Sequence, residues 1–149
     1  MKRFLLFAIS VLTMATTMAQ TQPMTYCFAE GEEPLYLDHY RSAGEGAHPC
    51  VLFAFGGGFS HGSRNNERYL PYFEMLLSGG FDVVSVDYRL GMAYTLDKTE
   101  DVGQLEGAWA MYRSVNYAVE DMFRATRYLL DHADEWQIDT TRIVASGSS

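Results

Sequence analysis

The chain has 149 residues, 48% of them hydrophobic and 14% aromatic, which is enough for one small folded domain. Its formal net charge is −8, from 19 acidic and 11 basic residues. This acidity argues against a nucleic acid partner, because phosphate binding requires basic groups. The four histidines are scattered without the paired spacing of a metal site. We therefore expect neither a metal nor another cofactor.

The first 19 residues have the layout of a cleavable secretory signal peptide. Lys2 and Arg3 precede an apolar run from Phe4 to Leu12, and small residues end the segment at Ala19. The apolar run is shorter than the roughly 20 residues that span a bilayer. We expect cleavage after Ala19, export to the periplasm or the medium, and no stable membrane anchor. Residues 20–149 would carry a formal charge of −10, because 9 basic and 19 acidic residues remain.

Two strands are predicted between Met24 and Tyr40, joined by a turn at Glu30–Glu33. This pattern indicates a hairpin at the edge of a sheet. The two cysteines, Cys27 and Cys50, are compatible with one disulfide in an exported chain or with two free thiols. Both possibilities stay open from the sequence.

A buried strand followed by a glycine loop is predicted next. Cys50 to Phe55 is apolar throughout, as in a parallel strand covered on both faces. Gly56, Gly57 and Gly58 follow directly, and glycine lets backbone N–H groups face a ligand, as an oxyanion hole requires. A nucleotide phosphate site is disfavoured because neither Gly-Lys-Ser/Thr nor G-x-G-x-x-G follows the strand.

The chain then alternates between helices and strands. Asn65–Glu67 predicts the cap of a helix that runs through Leu77 and stops at Gly79-Gly80, and Phe81–Leu90 predicts a strand. Such alternation is typical of a parallel sheet with right-handed crossovers.

A second helix is predicted later, over Val115–Ala133, after a weakly patterned segment at residues 91–113. Its predicted apolar face comprises Val115, Val119, Met122, Phe123, Thr126, Leu129, Leu130 and Ala133. The large side chains of the weakly patterned segment either line a pocket or pack against the domain. They are Tyr94, Trp109, Met111 and Tyr112.

The last eight residues contain a candidate nucleophile. Ile143–Ala145 predicts a short strand that runs into Gly147-Ser148-Ser149. Gly147-x-Ser149 matches the first three positions of the G-x-S-x-G nucleophile elbow, in which a sharp turn exposes the serine hydroxyl to a base. Ser149 is therefore the candidate nucleophile.

Three ordered segments resemble the N-terminal half of an α/β-hydrolase of the carboxylesterase and hormone-sensitive-lipase type. They are Phe55–Phe59 with His61–Arg64, Val86–Leu90, and Arg142–Ser149. The resemblance implies an α/β fold with a parallel-rich sheet and helices on both faces, of which residues 20–149 are an N-terminal part truncated at the nucleophile elbow. Phe55 stands where one branch of the family has histidine, so the chain is more similar to the Gly-Gly-Gly-x branch.

The resemblance also implies roles for individual residues. Ser149 would be the nucleophile and Gly57 and Gly58 the oxyanion donors, with a third donor in the residue after Ser149. Tyr88-Arg89-Leu90 and Asp121 would support the site structurally. The family's acid and histidine come after the serine, so neither Asp87 nor His61 is assigned to the triad, and His61 is interpreted as a loop hydrogen-bonding residue.

The implied activity is hydrolysis of a small-molecule or carbohydrate ester through an acyl-enzyme, without a cofactor. A serine peptidase of the same fold and a non-catalytic binding relative are the alternatives. Triad members act as a unit, so the 149-residue polypeptide alone is expected to be catalytically inert. Its last strand is expected to be an unpaired apolar edge that lowers solubility.

Overall fold

A computed structural model describes residues 22–96 and 103–149, and the predicted signal peptide at residues 1–19 lies outside them. Five strands form one sheet. They are β1 (Met24–Ala29), β2 (Leu35–Tyr40), β3 (His48–Ala54), β4 (Asp82–Val86) and β5 (Ile138–Gly147). The order is β1-β2-β4-β3-β5, with β3 parallel to β4 and to β5. β1 and β2 form an antiparallel hairpin that joins the sheet where β2 pairs with β4, so the predicted edge hairpin and parallel strands are confirmed.

Helices connect the parallel strands. They are a 3-10 turn (Glu67–Tyr69), α1 (Leu70–Ser78), α2 (Gly91–Leu96), α3 (Gln104–Asp131) and α4 (Ala133–Trp136). The predicted cap is confirmed, because the Asn66 side chain accepts a hydrogen bond of 3.1 Å from the Arg68 backbone N–H. Gly79 ends α1 by donating to the last carbonyl groups of the helix. Among the described residues, no helix is both long and apolar enough to cross a membrane.

Side chains of the parallel strands alternate between two apolar clusters, one on each face of the sheet. Leu52 and Val84 face α3 and α4, whereas Phe53 and Val83 face α1. Aromatic rings dominate the α1 side, where Phe53 contacts Phe73 edge to face at 5.1 Å. Helices therefore cover both faces, as the predicted α/β architecture requires.

The prediction for the long helix was wrong in two respects. It begins at Gln104 rather than Val115, and of the eight residues of the predicted apolar face Leu129 and Ala133 are buried but the other six are not. The side chains that face the protein are Ala110, Ser114, Ala118, Asp121, Ala125 and Leu129. Val119 and Phe123 are 49% and 72% exposed. Helix α2 approaches so closely that a Cβ on Gly91 would lie 2.5 Å from the Ser114 hydroxyl, which explains why the buried face uses small residues.

Strand β5 occupies the end of the sheet in the described residues, as expected for an apolar edge. Its outer positions are exposed, Val144 by 53%. Only its first residue, Ile138, is fully buried, against the α3 and α4 side of the core. A long exposed edge with apolar side chains is a site of association between chains.

Cys27 and Cys50 are both free thiols. They lie in β1 and β3, and β2 and β4 run between these strands, which places the two residues about 14 Å apart at the usual strand spacing. A disulfide needs Cα atoms within about 7 Å, so this pairing is excluded by the strand order. Burial raises the pKa of the Cys50 thiol to about 12, which makes it unreactive at neutral pH.

A buried carboxylate joins the amino ends of β3 and β4 to the hairpin. Asp82 is fully buried and accepts hydrogen bonds from the rings of His39 (2.8 Å) and His48 (2.9 Å). The Ser42 backbone N–H and hydroxyl each donate to it at 2.9 Å. Burial alone would raise the pKa of Asp82, but these hydrogen bonds outweigh it and lower the pKa to about 2.

Replacing this carboxylate should destabilise the fold. Asp82→Asn is expected to lower the free energy of unfolding by about 3 kcal/mol at pH 7, because buried donors lose an ionised acceptor. The folded pKa is depressed, so the stabilisation is present above pH ~4 and is lost as the pH falls towards 2. Urea denaturation at several pH values measures both effects.

Asp139→Asn is the matched control for this measurement. Asp139 also has a pKa lowered to about 2, by hydrogen bonds from Thr141 and Arg142, but it lies on the exposed part of β5. Solvent screens such a pair, so little change in stability is expected. Equal losses in the two variants would contradict a special role for the buried group.

Candidate functional site

Parallel pairing brings two loops to one edge of the sheet. Ala54, at the end of β3, is paired with Gly147, at the end of β5. The pairing continues one residue further, since the Ser148 N–H donates to the Ala54 carbonyl at 3.0 Å. The glycine loop after β3 and Ser149 after β5 therefore lie side by side, at the carboxyl ends of the strands where α/β proteins bind ligands.

The glycine loop turns sharply immediately after β3. Gly57 has φ of +147° and Gly58 has φ of +59°, conformations that favour glycine. The Gly57 carbonyl accepts from the N–H groups of Ser60 (3.1 Å) and His61 (3.3 Å), which closes the turn. A Cβ on Gly57 would lie 2.0 Å from the His61 carbonyl oxygen, whereas one on Gly58 would meet open space. Glycine is thus required at Gly57 by sterics and favoured at Gly58 by backbone conformation.

Two N–H groups of this loop are free to bind a ligand. The N–H of Gly56 donates to the Tyr69 hydroxyl at 2.9 Å. Within the described part of the chain, the N–H groups of Gly57 and Gly58 donate to no acceptor. Adjacent unbonded backbone donors can stabilise a developing negative charge on oxygen.

Ser149 lies directly against this loop. A Cβ on Gly56 would come within 2.8 Å of the Ser149 carbonyl carbon and 2.9 Å of that of Ser148, so the two backbones touch. Together they border an open pocket of about 250 Å³. Phe59, Ala118 and Met122 supply apolar side chains to its wall. The structure thus places all three predicted site residues, Ser149, Gly57 and Gly58, around one pocket.

Two tyrosine hydroxyls lie behind the glycine loop. Tyr88 donates to the Phe55 carbonyl at 2.7 Å, and burial raises its pKa to about 12. Burial would also raise the pKa of Tyr69, but hydrogen bonds from Arg68, the Gly56 N–H and Ser148 outweigh this effect and lower it. Sequence reasoning did not predict the contact of Tyr69 with the glycine loop, since a lone tyrosine in a predicted helix carries no motif.

The segment after β4 is tied to α3 by a buried ion pair. Asp121 is fully buried and accepts from the Arg89 backbone N–H at 2.9 Å and from its guanidinium at 2.8 to 3.1 Å. The Arg89 guanidinium also lies over the Tyr117 ring at 4.6 Å. This contact is of the structural kind predicted for Arg89 and Asp121, whose role in supporting an active site stays a prediction.

The four histidines have other partners. His39 and His48 bind Asp82, and His132 contacts the Tyr128 carbonyl at 2.8 Å. His61 contacts the Ser60 hydroxyl at 2.9 Å, in agreement with the predicted loop role. In residues 22–96 and 103–149, no cluster of His, Cys, Asp or Glu could hold a metal ion.

Two other residue groups lie away from the reacting atoms. Asp87 is not a free carboxylate, since it forms an ion pair of 2.6 Å with Arg64. Trp109, Met111 and Tyr112 are exposed on the first turns of α3, between 40% and 62%, and do not border the pocket at Ser149. The Tyr94 side chain lies outside the described residues.

Comparisons with known proteins point to esterases. No family model matches the chain. The fumonisin B1 esterase of Sphingopyxis macrogoltabida is 29% identical over an alignment of 126 positions, which covers 79% of this chain and 21% of that protein. The chain therefore spans about a fifth of this curated relative.

Solved structures of an esterase from Thermogutta terrifontis share the fold. The native form of this thermophilic enzyme, Est2, superposes with a TM-score of 0.65 at 24% identity, over 88% of this chain and 41% of that chain. Its propionate-bound form gives 0.65 at 24% identity, over 88% and 43%. The form phosphorylated by paraoxon gives 0.64 at 24% identity, over 86% and 44%. The described residues thus form part of an α/β-hydrolase fold, and the sequence is similar to that of the fumonisin B1 esterase.

Proposed function

We propose that this chain is part of an exported serine esterase that hydrolyses carboxylic esters, with Ser149 as the nucleophile. The observation that carries the proposal is that Ser149 packs against Gly56 and borders the same pocket as Gly57 and Gly58, whose N–H groups donate to no acceptor in the described part of the chain. A nucleophile and adjacent oxyanion donors are the two groups that acyl transfer needs at the same carbonyl.

The mechanism follows from these positions. The Ser149 hydroxyl attacks the ester carbonyl carbon, and a histidine takes the hydroxyl proton. The carbonyl oxygen becomes negatively charged and is stabilised by the N–H groups of Gly57 and Gly58, together with the N–H of the residue after Ser149. Collapse breaks the bond to the alkoxide oxygen, which takes the proton from the histidine and leaves as the alcohol. Water then removes the acyl group from Ser149 as the carboxylic acid and restores the serine hydroxyl.

The base and the acid of this mechanism are proposed to come from residues beyond these 149. Two observations support this. His39 and His48 share their buried carboxylate at the amino ends of the strands, the end of the sheet opposite Ser149, and His132 is stacked on Tyr128 with its ring nitrogen at a carbonyl. The elbow type of hydrolase also orders its triad as serine, acid, histidine along the chain.

Esters of small molecules or carbohydrates are the proposed substrates. The apolar pocket wall formed by Phe59, Ala118 and Met122 suits an acyl chain or another apolar substrate group. The names of the similar proteins also support an ester, since they are the fumonisin B1 esterase and an esterase with propionate or butyrate bound.

Removing the nucleophile tests the proposal. In the full-length protein, Ser149→Ala is expected to abolish covalent labelling by paraoxon and to lower turnover of p-nitrophenyl butyrate by about 10⁴-fold or more, because the triad acts as a unit. Mass spectrometry locates the phosphoryl group on the wild-type protein.

Two further assays complete this test. A panel of esters and peptides separates an esterase from a peptidase, and absence of any labelling would favour the non-catalytic relative. A polypeptide of residues 20–149 alone is expected to show no triad-level turnover. Full activity in Ser149→Ala would refute the assignment.

Substitutions in the glycine loop test the oxyanion donors. Gly57→Ala is expected to lower kcat by about 100-fold or more, because its Cβ would collide with the His61 carbonyl and displace a donor N–H. Gly58→Ala meets open space and bears only the strain of φ +59°, about 1 kcal/mol, so a smaller loss is expected. Steady-state kinetics compares the pair, and equal losses would argue against the steric assignment.

Export is tested by locating the processed protein. Fractionation of producing cells is expected to place it outside the cytoplasm, with Gln20 as its first residue by mass spectrometry. Replacing Phe4–Leu12 by polar residues should retain the uncleaved chain in the cytoplasm. Export of that variant, or an intact Met1 on the exported wild type, would contradict this part of the proposal.

A further inference from the structure

One peptide group at the entrance of the glycine loop is held on both of its polar sides. The Phe55 carbonyl accepts from the Tyr88 hydroxyl at 2.7 Å, and the Gly56 N–H donates to the Tyr69 hydroxyl at 2.9 Å. This C=O and this N–H belong to the same planar unit, because one peptide bond joins Phe55 to Gly56. Two side chains from different elements therefore fix the orientation of one peptide plane.

Both tyrosine rings are themselves immobilised. Tyr69 and Tyr88 are 7% and 6% exposed. The Tyr69 ring meets Phe53 edge to face at 4.8 Å, and the Tyr88 ring stacks on Phe55 at 4.4 Å. Rigid rings hold their hydroxyls at fixed points, so the peptide plane between them has little freedom to rotate.

The Tyr69 hydroxyl also has a second donor. It accepts from the Arg68 guanidinium, which lies over the same ring at 4.6 Å. A phenol oxygen can accept two hydrogen bonds and donate one. Gly56 and Arg68 thus occupy both acceptor positions of the Tyr69 hydroxyl.

We propose that Tyr69 and Tyr88 are positioning residues of the esterase site, which clamp the Phe55–Gly56 peptide and thereby aim the N–H groups of Gly57 and Gly58 at the oxyanion. This inference rests on the proposed function of the site. Rotation of the clamped peptide would turn the donors that follow it, and oxyanion stabilisation depends on donors that are already oriented. The clamp stabilises the transition state more than the bound substrate, because the oxygen of the planar substrate carbonyl carries less negative charge than the oxyanion.

The test uses phenylalanine variants of the full-length protein with a matched control. Tyr69→Phe and Tyr88→Phe keep the rings and remove the clamping hydroxyls. Tyr72→Phe is the control, because its hydroxyl contacts the Ser146 hydroxyl of β5 at 3.1 Å rather than the glycine loop. For each variant, kcat and KM are measured with p-nitrophenyl butyrate, together with Ki for an alkyl trifluoromethyl ketone, whose serine adduct carries an oxyanion.

Each clamp variant is expected to lower kcat about tenfold and to raise Ki for the trifluoromethyl ketone by a similar factor, while KM changes less than about twofold. The double variant should lose less than the product of the single losses, because both hydroxyls act on one peptide plane. Tyr72→Phe should match the wild type. If the hydroxyls only stabilised the fold, the melting temperature would fall, and Ki for the ketone would not change more than KM does.

The outcomes separate the two proposals. If Ser149→Ala retains turnover, the proposed function fails and the clamp has no site to serve. If Ser149 is essential but the clamp variants match Tyr72→Phe in kcat and Ki, only the clamp is overturned. Losses that multiply fully in the double variant would also overturn it, since the two hydroxyls would then act independently.

Discussion

The parallel pairing of β3 with β5 is the constraint on which the site depends. Hydrogen bonds pair β3 with β5 in register from Cys50 to Ala54, so the segments that follow the two strands leave the sheet at the same edge. The glycine loop and Ser149 therefore meet although more than 90 residues separate them in sequence. Neither segment needs its own long-range contact to find the other, because the strand ladder sets their separation.

Buried carboxylates hold both ends of β4, the strand on the other side of β3. At the amino end, Asp82 receives hydrogen bonds from the hairpin and from β3, and at the carboxyl end Asp121 holds Arg89 against α3. A buried carboxylate is tolerated only when its charge is compensated, so each is a point at which several elements must assemble together.

The oxyanion loop depends on a division of roles among its residues. Gly57 supplies a close approach that a Cβ would block, whereas Gly56 gives its N–H to Tyr69 and so serves the structure. Only the following donors remain free. A run of three glycines thus contains one structural residue and two candidate ligand donors, and sequence alone treats all three alike.

Much of the architecture was predictable because it rests on local pattern. Strands β3, β4 and β5, the edge hairpin, the helical segment capped by Asn66 and the nearness of Ser149 to the glycine loop all follow from apolar runs, turn residues and ordered motifs. The buried face of the long helix was mispredicted because the prediction assigned the large apolar residues to that face. The helix packs closely against α2 and the sheet, and small residues such as Ala110, Ser114 and Ala118 occupy its buried face instead.

The sequence by itself determined the fold class, the alternation of strands and helices along the chain, and the candidate residues Ser149, Gly57 and Gly58. Only the tertiary structure decided that Cys27 and Cys50 stay apart and which N–H groups remain free. It also decided that two tyrosines hold the loop. The physical reason is that secondary structure depends largely on neighbours in sequence. Strand order and hydrogen-bond partners depend instead on groups that only folding brings together.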